Sequence, residues 1–235
     1  MAGPGATNVA VDTTWEGRLG WTAGLVADDP VVRMRARRRL TVMRRLMHAA
    51  LRRLNEVLGR PDEPERAARF AHYRLRQSFC YPEGLGPKEP LGTSAALPYL
   101  IRYLEWEVRY PDEWYATAKN WTAKEVLLRH LTREFAGLPV AAKRRLIELI
   151  VLVIRREYHV EDVSWARLAR VVDLPEFRGR LADLDDGTCT VPAKRARFLL
   201  WLLEHPEAPQ LQRTHWHYGR YPQPRRRNGK QRSRR

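Results

Sequence analysis

The spacing of apolar residues between Pro30 and Leu58 constrains the fold more than any other feature of the sequence. Apolar positions recur there in alternating steps of four and three, which aligns them along one side of a helix. These positions are Ala36, Leu40, Met43, Met47, Ala50, Leu54 and Val57. Pro30 suits a first helical turn, and Gly59 and Pro61 are end signals. We predict that 30–58 is the longest helix and that its apolar seam needs a partner helix.

Seven further segments have the spacing or the end signals of helices. They are 63–79, a segment capped by Thr93 or Ser94 that ends before Pro111, 121–135, 140–158, 164–172, 175–184 and 192–204. Thr122 and Glu125 have the spacing of a capping box, whereas 112–120 is interpreted as a connector. The apolar run 146–154 fits either a strand or a buried central helix, and the length of 140–158 favours the helix.

These segments predict a mainly α protein, in which a multi-helix bundle is followed by a smaller C-terminal helical lobe and a disordered basic tail. We expect an N-terminal arm at 1–28 that docks on the body, the bundle at 29–160, the lobe at 161–206 and the tail at 207–235. The loop at 81–92 is rich in Pro and Gly and offers another boundary. A chain of 235 residues is long enough for one large core or two modest ones.

The charge of the chain points to a polyanionic partner. The formal net charge is +16, and 37 of the 43 cationic residues are arginines. The planar guanidinium grips phosphate bidentately and stacks on bases. GC-rich codon usage is an alternative reason for the preference of Arg over Lys, but it does not explain the excess of bases over acids. We therefore expect a nucleic acid, DNA or RNA, as the partner, and we expect no cofactor.

Cysteine usage and hydropathy bear on the compartment. Cys80 and Cys189 are far apart, which fits neither a disulfide framework nor a paired-cysteine metal motif. The N-terminus lacks a basic stretch followed by an apolar one, and no apolar run approaches the roughly 18 residues of a membrane span. We expect a cytoplasmic protein, with association to the nucleoid as an option, and no membrane partner.

Arginines recur on a second side of the long predicted helix. Arg38, Arg45 and Arg52 are seven residues apart, and Arg37 and Arg44 lie beside them, so several guanidiniums project from one face. A solvated face is the alternative interpretation. Such faces usually mix signs to gain ion pairs at four-residue spacing, whereas this helix has a single acid. We predict that the arginine stripe binds phosphates.

The C-terminal segment combines aromatic and basic residues. Seven of the last eleven residues are basic and none is acidic, and such arms neutralise phosphates by releasing counterions. Without the nine bases from Arg213 onward the chain keeps a charge of +7, so the body is basic too. Aromatic residues interleaved with cations suit stacking on single strands; a solubility tail and an aromatic clamp are the alternatives. The candidate contacts are Arg213, Trp216, Tyr218, Arg220, Arg225, Arg226, Arg227 and Lys230.

Residues 164–181 resemble the helix-turn-helix pattern of DNA-binding proteins, with Leu168 and Ala169 at packing positions and Leu174 in the turn. The resemblance implies that the second helix projects Glu176, Arg178 and Arg180 toward base edges or phosphates, which favours DNA slightly over RNA. Two short packing helices are the alternative, because Asp173 stands where the pattern usually has Gly and Gly179 lies inside the second helix. In that case Lys194, Arg195 and Arg197 on the next predicted helix could make the nucleic-acid contacts instead.

Signals for catalysis are weak. His215 and His217 have no acid or cysteine close in sequence to complete a metal site. Three acids, Asp183, Asp185 and Asp186, fall in a predicted turn beside Gly187, where Asp is expected for backbone reasons. The phosphate-loop and dinucleotide fingerprints and the Gly-x-Ser-x-Gly elbow are absent from the sequence. We therefore expect no metal.

The sequence favours non-catalytic nucleic-acid binding by a helical protein. The second hypothesis is a scaffolding subunit of a nucleoprotein complex, which packs its Met- and Leu-rich seam against partner proteins or a second copy of the chain. A metal-dependent nuclease is third.

Overall fold

The structure, a computed structural model, describes residues 14–58, 64–69, 71, 90–118, 121–156 and 162–208. These residues form helices and connecting turns, with no strand among them, which confirms the predicted mainly α class. The α-helices are α1 (Trp15–Leu19), α2 (Pro30–Val57), α3 (Leu97–Arg109), α4 (Pro111–Ala118), α5 (Trp121–Glu134), α6 (Val140–Arg155), α7 (Asp162–Ala169), α8 (Pro175–Leu184) and α9 (Val191–Glu204). Residues 64–69 are also helical. Among the described helices, none has both the length and the hydropathy that a membrane crossing needs.

The chain divides into two compact units. The first is Met1–Ala123 with Gly137–Ala142, and the second is Lys124–Ala136 with Lys143–Arg235. This division differs from the expected boundary at 160, because most of α5 and α6 falls in the same unit as the C-terminal helices. In this division α7, α8 and α9 share the second unit with residues 124–136 and 143–155, and the expected lobe at 161–206 stays a prediction.

In the first unit, α2 confirms the long helix predicted from Pro30. Pro30 occupies the first helical position, and the Asp29 carboxylate accepts a hydrogen bond from the Val31 amide at 2.7 Å. The helix has 28 residues and is therefore about 42 Å long. Its seam is buried at Ala36 and Leu40, whereas the seam positions from Met43 to Val57 are half-buried.

Residues 14–28, the described part of the predicted arm, pack on α3. The Tyr99 hydroxyl donates a hydrogen bond to Glu16 at 2.9 Å, and the Tyr99 and Trp15 rings stack with centroids 6.1 Å apart. Arg102 donates to the Thr22 hydroxyl at 3.0 Å. Leu25 is fully buried, so the segment contributes to the core of this unit.

The predicted start of α3 is wrong. The helix begins at Leu97, and neither Thr93 nor Ser94 caps it: the residue at the cap position is Ala96, without a side-chain hydrogen bond. Proline lacks an amide hydrogen and its ring clashes with the carbonyl four residues earlier, so it is tolerated only in a first turn. Starting at Leu97 places Pro98 second in the helix.

The connector predicted at 112–120 is also wrong, because Pro111–Ala118 is helix α4. Pro111 opens the helix, and Asp112 and Glu113 in its first turn interact favourably with the helix dipole. Trp114 is buried edge-to-face against Tyr103, with centroids 6.0 Å apart. This tertiary contact secures a helix that is too short to be stable alone.

The core of the second unit includes α6, which confirms the buried helix predicted at 140–158 and excludes the strand. Its apolar run is buried on most sides, at Leu146, Ile147, Leu149, Ile150, Val151, Val153 and Ile154. The following helices α7, α8 and α9 lie close to the predicted ranges. The predicted turn at Gly187 is confirmed by its positive φ of 75°, a conformation that favours glycine.

Candidate nucleic-acid interface

The arginines of α2 divide between two sides of the helix. Arg33, on the inner side, is only 9% exposed. Its guanidinium contacts both carboxylate oxygens of Glu113 at 3.2 Å, donates to the carbonyl oxygens of Ala27 and Asp28 at 2.8 Å, and lies 3.9 Å from the Tyr110 ring centroid. Arg33 is a structural residue that joins the start of α2 to α4.

Two arginines of the predicted stripe, Arg37 and Arg44, also face α4. The Arg37 Nε atom lies 3.5 Å from a Glu113 carboxylate oxygen. Arg44 donates to the carbonyl oxygen of Thr117 at 3.0 Å, close to the end of α4, where cationic side chains interact favourably with the helix dipole. Arg37 and Arg44 were predicted to bind phosphates together with Arg38, Arg45 and Arg52. The contacts with α4 correct this assignment, because both side chains are half-buried and bound within the first unit.

The other three stripe residues, Arg38, Arg45 and Arg52, are exposed. Seven residues correspond to almost two helical turns, with a drift of about 20° per step, so the three guanidiniums lie on one side over about 21 Å. None of them has a side-chain hydrogen bond or ion pair with another described residue. We call the exposed side of α2 that carries them the outer face.

Three further exposed arginines of α2 were not among the sequence-based candidates. Arg35, Arg39 and Arg53 are exposed as well, and the Arg39 guanidinium lies 5.4 Å from the Trp21 ring centroid. The signal was present, because Arg39 and Arg53 directly follow Arg38 and Arg52. With six exposed arginines and one exposed acid, Glu56, the exposed surface of α2 around the outer face is strongly cationic.

In the second unit, the region that resembles a helix-turn-helix contains α7, a turn at 170–174 and α8. Leu168 and Ala169 are buried, as packing positions require. Arg178 is bound on its own unit: its Nε atom donates to Asp173 at 2.6 Å, and the guanidinium also donates to the Leu203 carbonyl oxygen at 3.3 Å. The hydrogen bond from Arg178 lowers the pKa of Asp173. This pair gives Asp173 a structural role at the position where the pattern usually has Gly.

The exposed side of α8 has mixed charge. Arg180 donates to Glu176 at 3.2 Å, and Arg144 of α6 lies 4.0 Å from the same carboxylate. Glu176 and Asp183 are exposed. A major-groove reader needs cations free to reach base edges and phosphates, so α8 is less suited to this task than the outer face of α2.

Arg195 of α9 is 1% exposed, which corrects its assignment as a nucleic-acid contact. Its Nη1 atom donates to the carbonyl oxygens of Val153, Ile154 and Arg156 at 3.3, 3.2 and 2.8 Å. The last carbonyls of a helix have no partner within it, so Arg195 caps the C-terminal end of α6. The neighbouring Lys194 is exposed and stays a candidate contact.

Arg197 is bound by Asp185 in a two-pronged ion pair with distances of 3.0 and 2.5 Å. Only a fifth of the Asp185 side chain is exposed. The contact fixes the turn between α8 and α9, so Arg197 has a structural role and is less available as a nucleic-acid contact. The hydrogen bonds from Arg197 lower the pKa of Asp185 below its ordinary value.

We expect Asp185→Asn to lower the free energy of unfolding at pH 7 by about 1 kcal/mol, after allowance for the partly exposed Arg197. Because the folded pKa is lowered, this contribution is present above the unfolded pKa of about 3.9 and is lost as the pH falls through the folded pKa. Urea denaturation of both proteins between neutral and acid pH measures it. A difference that stays constant into acid would contradict the ion-pair explanation.

The other residues considered for metal binding do not converge in the described part of the chain. Asp186 accepts a hydrogen bond from the Thr188 amide at 2.9 Å, as predicted for a turn aspartate. No group of three or more potential metal ligands occurs among the described residues. The histidines His215 and His217 and the candidate contacts from Arg213 to Lys230 lie outside the described residues.

Comparison with protein-family models, curated proteins and solved structures found no match to this chain.

Proposed function

We propose that this protein binds nucleic acid without catalysing a reaction on it, and that the outer face of α2 holds the phosphate backbone. The observation that carries this proposal is the separation of the α2 arginines into an inner set that is bound by Glu113 and a carbonyl oxygen of α4, and an outer set with no acidic partner among the described residues. Uncompensated like charges repel each other, and a polyanion relieves that repulsion.

The dimensions of the outer face suit a nucleic-acid backbone. The row from Arg38 to Arg52 is about 21 Å long, which covers about six nucleotide steps at 3.4 Å per step along one strand. Val42, which lies between Arg38 and Arg45 in the sequence, and Leu46, which follows Arg45, are 48% and 47% exposed, so apolar groups are available near the cations for contact with sugars and bases. Nothing on this face favours one base sequence, and we propose binding that is independent of sequence.

A scaffolding subunit is the second candidate, and one observation favours it. The seam of α2 is buried at Leu40, but Met43, Met47 and Leu54 are only half-buried. A partner helix that covers these residues would remove further apolar surface from water. Scaffolding and nucleic-acid binding use different sides of α2 and are compatible in one complex.

The proposal predicts that the full chain binds DNA or RNA oligonucleotides in a manner that weakens with salt, because cation–phosphate contacts release counterions. Fluorescence anisotropy with labelled duplex DNA, single-stranded DNA and RNA at about 50 to 200 mM NaCl measures this dependence. A chain truncated after Pro224 should keep binding with a reduced slope, since the folded body holds phosphates as well. Absence of binding by the full chain at low salt, or an affinity insensitive to salt, would overturn the proposal.

A further inference from the structure

A groove in the second unit, between α5 and α7, gathers cations that the proposed backbone interface does not use. The groove has a volume of about 230 Å³. Its lining residues are Glu125, Arg129, Thr132, Arg133, Ser164 and Arg167. Half of the lining side chains are therefore arginines, with one acid among them. No motif in the sequence indicated this site, because its residues come from segments more than thirty positions apart.

Helix geometry brings the three guanidiniums together. Arg129 and Arg133 are four residues apart on α5, so they project from the same side of that helix. Arg167 projects into the groove from α7. The helices are held by buried residues directly beside these positions, with Leu128 on α5 and Leu168 on α7 fully buried. The helices under the groove are thus firmly packed, whereas the arginine side chains on them are exposed to solvent.

The arginines of the groove are available to an anion. Arg129 pairs with Glu125 at 3.2 Å and Arg133 with Glu134 at 3.0 Å, but both arginine side chains are about two-thirds exposed. Exposed ion pairs of this kind contribute little to stability, so a more highly charged anion displaces them. Arg167 is exposed and has no ion pair with another described residue.

A hydroxyl donor completes the lining. Ser164 is 8% exposed, opens on the groove and has no side-chain hydrogen bond with another described residue. It lies in the first turn of α7, where the positive end of the helix dipole favours an anion. Three guanidiniums and one hydroxyl suit a group with several oxygen acceptors and two negative charges.

We propose that this groove binds a phosphomonoester, the chemistry shared by a 5′-phosphorylated nucleic-acid end and a free nucleotide. The volume is below the range of about 300 to 1,000 Å³ for drug-sized ligands, which suits a phosphoryl group with part of its sugar. The cationic excess of the lining favours a dianionic monoester over the singly charged diesters of a backbone. This site is separate from the outer face of α2 and goes beyond the proposed function.

The proposal is tested on the full chain with two pairs of probes. The first pair is AMP and adenosine, and the second is a short single strand with a 5′-phosphate or a 5′-hydroxyl. Isothermal titration calorimetry measures the four affinities at one moderate salt concentration. We expect AMP to bind about tenfold or more tightly than adenosine, since charge-assisted hydrogen bonds to the phosphoryl group are absent in the nucleoside.

Variants expected to weaken or to strengthen AMP binding make the test specific to the groove. Arg167→Gln and Arg133→Gln should each weaken AMP binding by about tenfold, and Glu125→Gln should strengthen it, because a carboxylate that competes for Arg129 is lost. Arg144→Gln is the matched control: Arg144 is exposed on α6, its Nε atom lies 4.0 Å from a Glu176 carboxylate oxygen, and its replacement removes the same charge. Circular dichroism checks that each variant is folded.

The outcomes separate the two sources of the ligand. Preference for both AMP and the 5′-phosphorylated strand, lost in Arg167→Gln, supports end recognition, and preference for AMP alone supports a free nucleotide. Equal affinities for AMP and adenosine, or equal losses in Arg167→Gln and Arg144→Gln, would overturn the site. Because AMP has no polynucleotide backbone, failure here is distinguishable from failure of the outer face of α2 to bind nucleic acid.

Discussion

Replacement of Arg38, Arg45 and Arg52 together by glutamine is expected to lower the affinity for duplex DNA on the order of 10²-fold at about 0.1 M salt. Each guanidinium that neutralises a phosphate adds about 0.9 to the log–log salt slope, so three lost contacts should flatten the slope by about 2.7. The three side chains are exposed, so the free energy of unfolding should change by no more than about 0.5 kcal/mol. Salt titrations by fluorescence anisotropy and urea denaturation measure the two quantities.

A second triple variant distinguishes a local interface from the field of the whole protein. Arg66, Arg144 and Arg155 are exposed and lie outside the proposed interface. Their joint replacement by glutamine removes the same charge, so it should leave most of the slope intact. Equal effects of the two triple variants would show that net charge alone attracts the nucleic acid, and the outer face would lose its assigned role.

The structure of α2 was predictable because its signals are local. Pro30 and the steps of four and three are read within one segment, and the seven-residue spacing of Arg38, Arg45 and Arg52 placed them on one side of the helix. The role of Arg37 was not predictable. Its partner Glu113 lies more than seventy positions away, in a segment interpreted as a connector, and α4 depends on tertiary burial of Trp114.

In the C-terminal helices, the secondary structure was predictable but the partners of the arginine side chains were not. The sequence predicted α8 closely, yet it treated Arg178 as a side chain reaching toward DNA. The structure pairs Arg178 with Asp173 and with a carbonyl at the end of α9. An arginine in a basic sequence has the same local appearance whether it binds phosphate or a carbonyl oxygen of its own fold. The groove arginines Arg129 and Arg167 escaped notice for a related reason, since only folding brings them together.

Arg195→Met is expected to have the largest effect on stability of any single arginine replacement considered for this chain, with a loss of roughly 3 kcal/mol in the free energy of unfolding. Methionine fills most of the space of the arginine stem but donates no hydrogen bond. The carbonyl oxygens of Val153, Ile154 and Arg156 then lose their shared donor at the buried end of α6. Val153 and Ile154 belong to the last turn of α6, where no backbone amide of the helix can donate to their carbonyl oxygens in place of Arg195.

The matched control for this prediction is the adjacent residue. Lys194 is exposed, so Lys194→Met should change the free energy of unfolding by no more than about 0.5 kcal/mol, whereas Arg195→Met should lower the melting temperature by about 6 to 12 °C. Urea denaturation and thermal melts measure both. Nucleic-acid affinity, determined at a temperature where both variants are folded, should be unchanged in Arg195→Met, because a buried guanidinium reaches no phosphate. A variant that keeps its stability but loses nucleic-acid affinity would return Arg195 to the interface and contradict its role as the cap of α6.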